Sequence, residues 1–212
     1  MEKEKIAIGS NKIGLFGKIA SDCVFSHDVF GEGFYTFDLE VSRLSEASDI
    51  LPCTISERIM DKEKFTPGQE ISISGQIRSY NSYIEEEKRS RLVLTVFARD
   101  YEMDDLVVAA TNPNEVFLDG YICKPPIYRT TPFGREIADL LIAVNRSYNK
   151  SDYIPCIVWG RNARFGSKLT VGSRIRINGR MQSRGYQKKR DDGEVLEKVA
   201  YEVSVSKLEI AE

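Results

Sequence analysis

Apolar and polar residues alternate with a period of two along much of this 212-residue chain. Tyr35, Phe37, Leu39 and Val41 alternate with polar neighbours, and so do Ile175 and Ile177 with Arg174, Arg176 and Asn178. In a strand that period sends one set of side chains to each face. Residues 135–146 are ambiguous alone, because Ile137, Leu140, Leu141 and Val144 stand at helical spacing.

An internal repeat resolves the ambiguity. Asn11-x5-Gly17 recurs as Asn114-x5-Gly120, and Asp49-Ile50-Leu51-Pro52-Cys53 as Asp152-Tyr153-Ile154-Pro155-Cys156, both at an offset of 103. The run from Phe65 to Ile77 recurs from Leu169 to Met181 at an offset of 104. Two copies of one sequence share one structure, and the clean alternation of residues 35–41 makes both copies of the segment strands. We therefore divide the chain into residues 1–110 and 111–212, joined near 104–114, where Thr111-Asn112-Pro113-Asn114 supplies turn chemistry.

Each copy reads as five strands. They fall near 12–20, 34–43, 50–56, 69–79 and 91–99 in the first copy, and near 115–123, 137–146, 153–159, 173–184 and 199–209 in the second. The segments 57–66 and 161–169 have room for little more than a turn of helix. The predicted fold is all-β, two tandem OB-folds, each a five-stranded Greek-key barrel with at most a short helix between strands 3 and 4. A β-sandwich is the structural rival, but five strands are few for one.

Charge divides the copies. The net charge of −2 averages 13 basic and 20 acidic residues in 1–110 with 17 and 12 in 111–212, or −7 against +5. Between residues 145 and 190 there are twelve Lys or Arg and one acid, Asp152, interleaved with Tyr148, Tyr153, Trp159 and Tyr186. Cations that track phosphates and aromatic faces that stack on bases are what single-strand binding requires. In the fourth strand Arg174, Arg176, Asn178 and Arg180 share one face, a cationic ribbon over Ile175, Ile177 and Met181. In the third, Ile154, Cys156 and Val158 form the better core set, which turns Tyr153 and Trp159 outward. Tyr201 and Tyr121 read as cross-strand packing.

Copy two resembles the bacterial single-stranded DNA-binding proteins. The resemblance lies in Asn114-x-Val116-x-Leu118-x-Gly120, in Leu141-Ile142-Ala143-Val144-Asn145-Arg146, in the run from Tyr153 to Ala163, in that from Val171 to Arg184, and in Tyr201-Glu202-Val203. It implies base stacking at Tyr148, Tyr153, Trp159 and Tyr186. The cations assigned to phosphate are Arg146, Arg161, Arg174, Arg176, Arg184, Lys188, Lys189 and Arg190. The family's role implies protection of single strands in DNA replication, repair or recombination, without sequence preference. Its single-domain members assemble as tetramers, so two domains in one chain imply a homodimer presenting four barrels.

Copy one departs from the pattern. Ile50 and Ser56 stand opposite Tyr153 and Trp159, Glu70 and Ser72 opposite Arg174 and Arg176, and the hairpin contains Glu85-Glu86-Glu87. It reads as divergent, acidic and mainly structural. The family's acidic tail ending in Ile-Pro-Phe, which docks partners, is expected to be absent, since this sequence stops at Ile210-Ala211-Glu212. The alternative function is a primosome-type accessory module that holds protein partners and has weak nucleic-acid affinity. Single-stranded RNA is an alternative ligand, because stacking barely senses a 2′-hydroxyl.

An enzyme is not expected. There is one histidine, His27, no phosphate-cradling Gly-x4-Gly-Lys motif and no nucleophile motif, and Gly31-Glu32-Gly33 reads as a turn. No cofactor or metal is expected, since Cys23, Cys53, Cys123 and Cys156 form no C-x-x-C pair and read as buried thiols. No apolar run approaches the roughly 18 residues of a membrane span, and no signal-peptide pattern opens the sequence. A cytoplasmic location is the expectation.

Overall fold

The computed structural model describes residues 9–85, 88–103, 112–189, 193 and 195–211, with the backbone alone at Lys188 and Lys189. The expected join at 104–111 and the candidate Arg190 lie outside the described residues. The N-terminal half contains β1 (Asn11–Ile19), β2 (Val24–Val29), β3 (Glu32–Ser42), β4 (Ser48–Ser56), β5 (Glu70–Ile84) and β6 (Arg89–Glu102). The C-terminal half repeats them as β7 (Asn114–Ile122), β8 (Ile127–Thr130), β9 (Glu136–Arg146), β10 (Lys150–Trp159), β11 (Arg174–Lys189) and β12 (Val195–Ile210). One short helix, α1 (Gly160–Gly166), lies between β10 and β11.

All ten expected strands are present, including β9, where the helical spacing misleads. The sequence reading missed β2 and β8, short strands that pair back onto β3 and β9 from the loops after β1 and β7. All six residues of β2 and all four of β8 are exposed, so neither carries the apolar alternation that would have announced it. The helical insert forms in the C-terminal half. In the first copy residues 57–66 make turns instead, and Phe65 fills the barrel end against Phe37 and Tyr101, with ring centroids 5.3 and 5.0 Å away.

Each half closes on itself. Within the sheet the order is β3-β4-β6-β5-β1 and β7-β11-β12-β10-β9, and the extra pairings β3–β1 and β7–β9 complete two barrels. The third and fifth strands run parallel in both, β4 with β6 and β10 with β12, and every other pairing is antiparallel. Two repeated features make closure possible. A Cβ on Gly17 would press into the Glu40 carbonyl, and one on Gly120 into that of Ala143, so only glycine lets the first strand meet the second there. Asn11 and Asn114 act as surrogate strand partners: the Asn11 amide donates to Ile77 O at 2.7 Å and accepts from its N–H at 2.9 Å, and Asn114 does the same to Met181 at the same two distances.

The halves meet through their first strands. β1 and β7 pair antiparallel about Ile13 and Val116, equivalent positions of the repeat that face each other. That is the arrangement of an isologous dimer, here within one chain. The repeated aspartates lock it. Asp49, from β4, accepts from the N–H of Ser183 at 2.7 Å and from Arg43 at 2.7 and 2.8 Å, while Arg180 lies 3.6 Å away. Asp152, from β10, accepts from the N–H of Ser79 at 2.9 Å, from Arg78 at 2.9 Å and from Arg146 at 3.3 Å. Both carboxylates are buried, and each reaches across to the other half. The acid standing alone in the basic window is thus a structural latch.

Core residues form one cluster running through both barrels. Cys53 and Cys156 are buried in it, and burial pushes both thiols up, which fits packing and not reactivity. Cys23 and Cys123 are only half-buried, where buried thiols are expected. Among the described residues no helix is long and apolar enough to cross a membrane.

Candidate nucleic-acid interface

β10 presents the two faces the alternation predicts. Ile154, Cys156 and Val158 are buried against the barrel, and Tyr153 and Trp159 face out at 44% and 38% exposure. Ile157, on the outward side by period, is also buried. Trp159 ends the strand, and its indole N–H donates to Ser204 Oγ of β12 at 3.2 Å, which fixes the ring across the neighbouring strands. Tyr148 projects from the β9–β10 turn at 93% exposure, in the left-handed region with φ 61°. Such a backbone is uncommon for a non-glycine residue and holds the ring off the barrel. Tyr186 lies on β11 with the Arg184 guanidinium 5.9 Å from its ring centroid, within cation–π range.

Cross-strand register brings some of these together. Tyr153 pairs with Ala143, Ala143 with Tyr121, and Tyr121 with Arg174. Directly paired residues point to one side of a sheet, so Tyr153, Ala143, Tyr121 and Arg174 line a row over the barrel's outer surface. With strands about 4.8 Å apart the row is roughly 14 Å long. Tyr121 is 39% exposed and belongs to this surface, where the sequence reading had it packing. Parity could have found it: Val116, Leu118, Gly120 and Ile122 are the buried set of β7, leaving Phe117, Asp119 and Tyr121 outside.

The cations are less free than the window count implies. Arg174 makes a two-point contact with Asp119 at 2.9 and 3.1 Å, and Arg176 joins the same carboxylate at 3.0 Å. Burial alone would raise the Asp119 carboxyl, but hydrogen bonds from these arginines outweigh it and hold it below its ordinary range. Arg184 meets Glu202 at 3.3 Å, and Arg146 shares Asp152 with Arg78. Asp119 and Glu202 lie outside residues 145–190, so a sequence window could not see them. Two guanidiniums on one carboxylate still leave one net positive charge at each of Asp49, Asp119 and Asp152. Arg161, the second residue of α1, is exposed and has no carboxylate partner among the described residues. Lys188 and Lys189 extend β11 opposite Leu196 and Val195.

The geometry gathers exposed aromatic rings and arginines on the outer surface of a closed barrel. The sequence profile of the Single-strand binding protein family matches residues 113–211. The C-terminal half belongs to that family. Single-stranded DNA-binding protein 1 of Staphylococcus aureus is 40% identical over 81 residues, covering 35% of this chain and 48% of that protein. Single-stranded DNA-binding protein A of Bacillus subtilis is 36% identical over 81 residues, covering 35% and 47%. The chain thus spans about half the length of these relatives. In fold the likeness extends to both halves: the single-stranded DNA binding protein from Thermus aquaticus superposes with a TM-score of 0.72 over 95% of this chain and 93% of its own, at 18% identity. Among the described residues no cluster of histidine, cysteine and carboxylates could hold a metal ion.

Proposed function

We propose that this chain binds single-stranded DNA without sequence preference, by stacking bases on aromatics and pairing phosphates with arginine and lysine. The observation that carries the reading is the outward face of β10. Tyr153 and Trp159 stand part-exposed on a strand whose other face is packed, which presents flat π-faces at the surface. Residues 111–212 would carry most of the binding, with Tyr148, Tyr153, Trp159 and Tyr186 as platforms. Arg161 and the net charge at Arg174, Arg176, Arg184 and Arg146 supply the electrostatics, joined by Lys188, Lys189 and Arg190. Residues 1–110 would chiefly complete the assembly. The protein acts without catalysis, in the cytoplasm, protecting strands exposed in replication, repair or recombination. Because each chain already pairs its own first strands, further association uses other surfaces, and a homodimer presenting four barrels is expected by sedimentation.

The test is Trp159 fluorescence during titration with poly(dT) at several salt concentrations, with poly(U) and duplex DNA as controls. The chain has one tryptophan, so the signal has one source. Quenching by the single strand and not the duplex, weakening with salt as counterions are released, is the expected result. Absence of binding at low salt would overturn the reading and leave the accessory-module function.

A further inference from the structure

The N-terminal half carries its own aromatic surface at the place where it lost the tryptophan. In the C-terminal half Trp159 pairs with Ile137 on one side and reaches Ser204 on the other. The repeat offset turns Ile137 and Trp159 into Phe34 and Ser56, which pair in the same way. The parallel ladders fix the third equivalence. Cys53 faces Val96 and Thr54 faces Phe97 in one half, while Cys156 faces Val203 and Ile157 faces Ser204 in the other. Phe97 therefore stands where Ser204 stands. Across three adjacent strands, aliphatic-indole-hydroxyl has become phenyl-hydroxyl-phenyl: the aromatic surface has moved from the middle strand to its two neighbours.

The rings form a patch. Phe34 and Phe97 lie 5.9 Å apart by centroid, and His27 stacks on Phe34 at 5.1 Å with planes 16° apart. Neither phenylalanine belongs to the packed core, and His27 is exposed. Arg99 and Arg78 flank Phe97, their guanidiniums 5.0 and 5.8 Å from its centroid. Arg78 is tied to Asp152, but among the described residues exposed Arg99 contacts only Gln76, at 3.2 Å, besides the ring, and no carboxylate. The acids at this end of the barrel are engaged: Glu32 pairs with Arg58 at 3.2 Å, and Glu57 accepts from the Gly33 N–H at 2.8 Å. A half-exposed ring cluster edged by an uncommitted guanidinium meets the requirements for stacking a base and holding its phosphate.

We infer that Phe97, with Phe34 beside it and Arg99 at its edge, is a second base-stacking platform for single-stranded nucleic acid, in the half whose sequence reads as structural. The inference rests on the single-strand-binding reading. Its test moves the reporter. In the full chain, W159F removes the native indole and F97W places one at the proposed platform. Saturable quenching of F97W/W159F by poly(dT), and not by duplex, supports the platform. Unchanged emission there, with wild-type Trp159 quenched, overturns it and leaves the main reading standing. Silence of both indoles ends both. Independently, F97A, with its fold checked by thermal melting, should bind poly(dT) about five- to tenfold more weakly, and R99Q should lower the salt slope by about one. Wild-type affinity in F97A together with a wild-type slope in R99Q would also overturn it.

Discussion

The two halves are the same barrel with different outer surfaces. Positions that face the barrel interior or the partner half agree: Asn11 with Asn114, Gly17 with Gly120, Asp49 with Asp152, Cys53 with Cys156 and Gly75 with Gly179. Positions on the outer surface have drifted: Ile50 for Tyr153, Glu70 for Arg174, Ser72 for Arg176 and Phe16 for Asp119, and a buried Ser56 stands where Trp159 is exposed. Each agreeing residue has a partner that cannot move, whether a carbonyl at van der Waals distance, a strand edge or the other half's backbone. None of the drifted residues belongs to the packed core. Divergence here separates what builds the fold from what uses it.

The largest expected effects fall on the agreeing set. D49A or D152A would leave two arginines and a backbone N–H of the opposite half without their shared carboxylate. Breaking a buried pair of this kind costs about 3–5 kcal/mol, read as the fall in unfolding free energy in urea. Because the latches are related by the repeat, the two losses should be similar. A loss in one variant only would break the symmetry argued for the halves.

Next come the drifted positions. W159A should weaken poly(dT) binding by about 1–3 kcal/mol with little change in stability, since the ring is part-exposed and, among the described residues, its one polar contact is with Ser204. The counterpart substitution S56A removes no ring and should leave affinity within twofold. Equal effects would show that the halves share the strand in some other way. D119N sharpens the electrostatic side. It releases Arg174 and Arg176 from their carboxylate, so the slope of log affinity against log salt should steepen by about one. An unchanged slope would make those arginines purely structural.

Much of this was legible in the sequence, and the failures have physical causes. The repeat made β9 a strand despite Ile137, Leu140, Leu141 and Val144, because two copies must share one ladder. The outward turn of Tyr153 and Trp159 followed from period two alone. The edge strands β2 and β8 were invisible because an exposed strand has no buried set to alternate. The pairing of Arg174 and Arg176 with Asp119 was hidden because Asp119 lies 55 residues from Arg174 and only β7–β11 pairing brings them together. Copy one reads as stripped of aromatics because the sequence counterpart of Trp159 is Ser56. The compensating Phe97 stands one strand away, and only the parallel ladder reveals the equivalence.

The smallest expected effect is in acid, and it separates latch from surface. For Asp49, burial pushes the carboxyl up, but hydrogen bonds from Arg43 and Ser183 outweigh that and leave it below its unfolded value. Asp119 is depressed by Arg174 and Arg176 in the same way. A carboxyl depressed in the folded state binds fewer protons there than in the unfolded chain, so its contribution is fully present above the unfolded value of about 3.9. It is lost as pH falls through the folded value. Unfolding free energy should therefore be flat in these groups from neutral pH to about 5 and decline below about 4. D49N removes a titrating latch and D119N a titrating surface pair, so each should flatten the acid limb. If the limb keeps its wild-type steepness in D49N, the carboxylate that ties β4 to the opposite barrel is not what acid undoes.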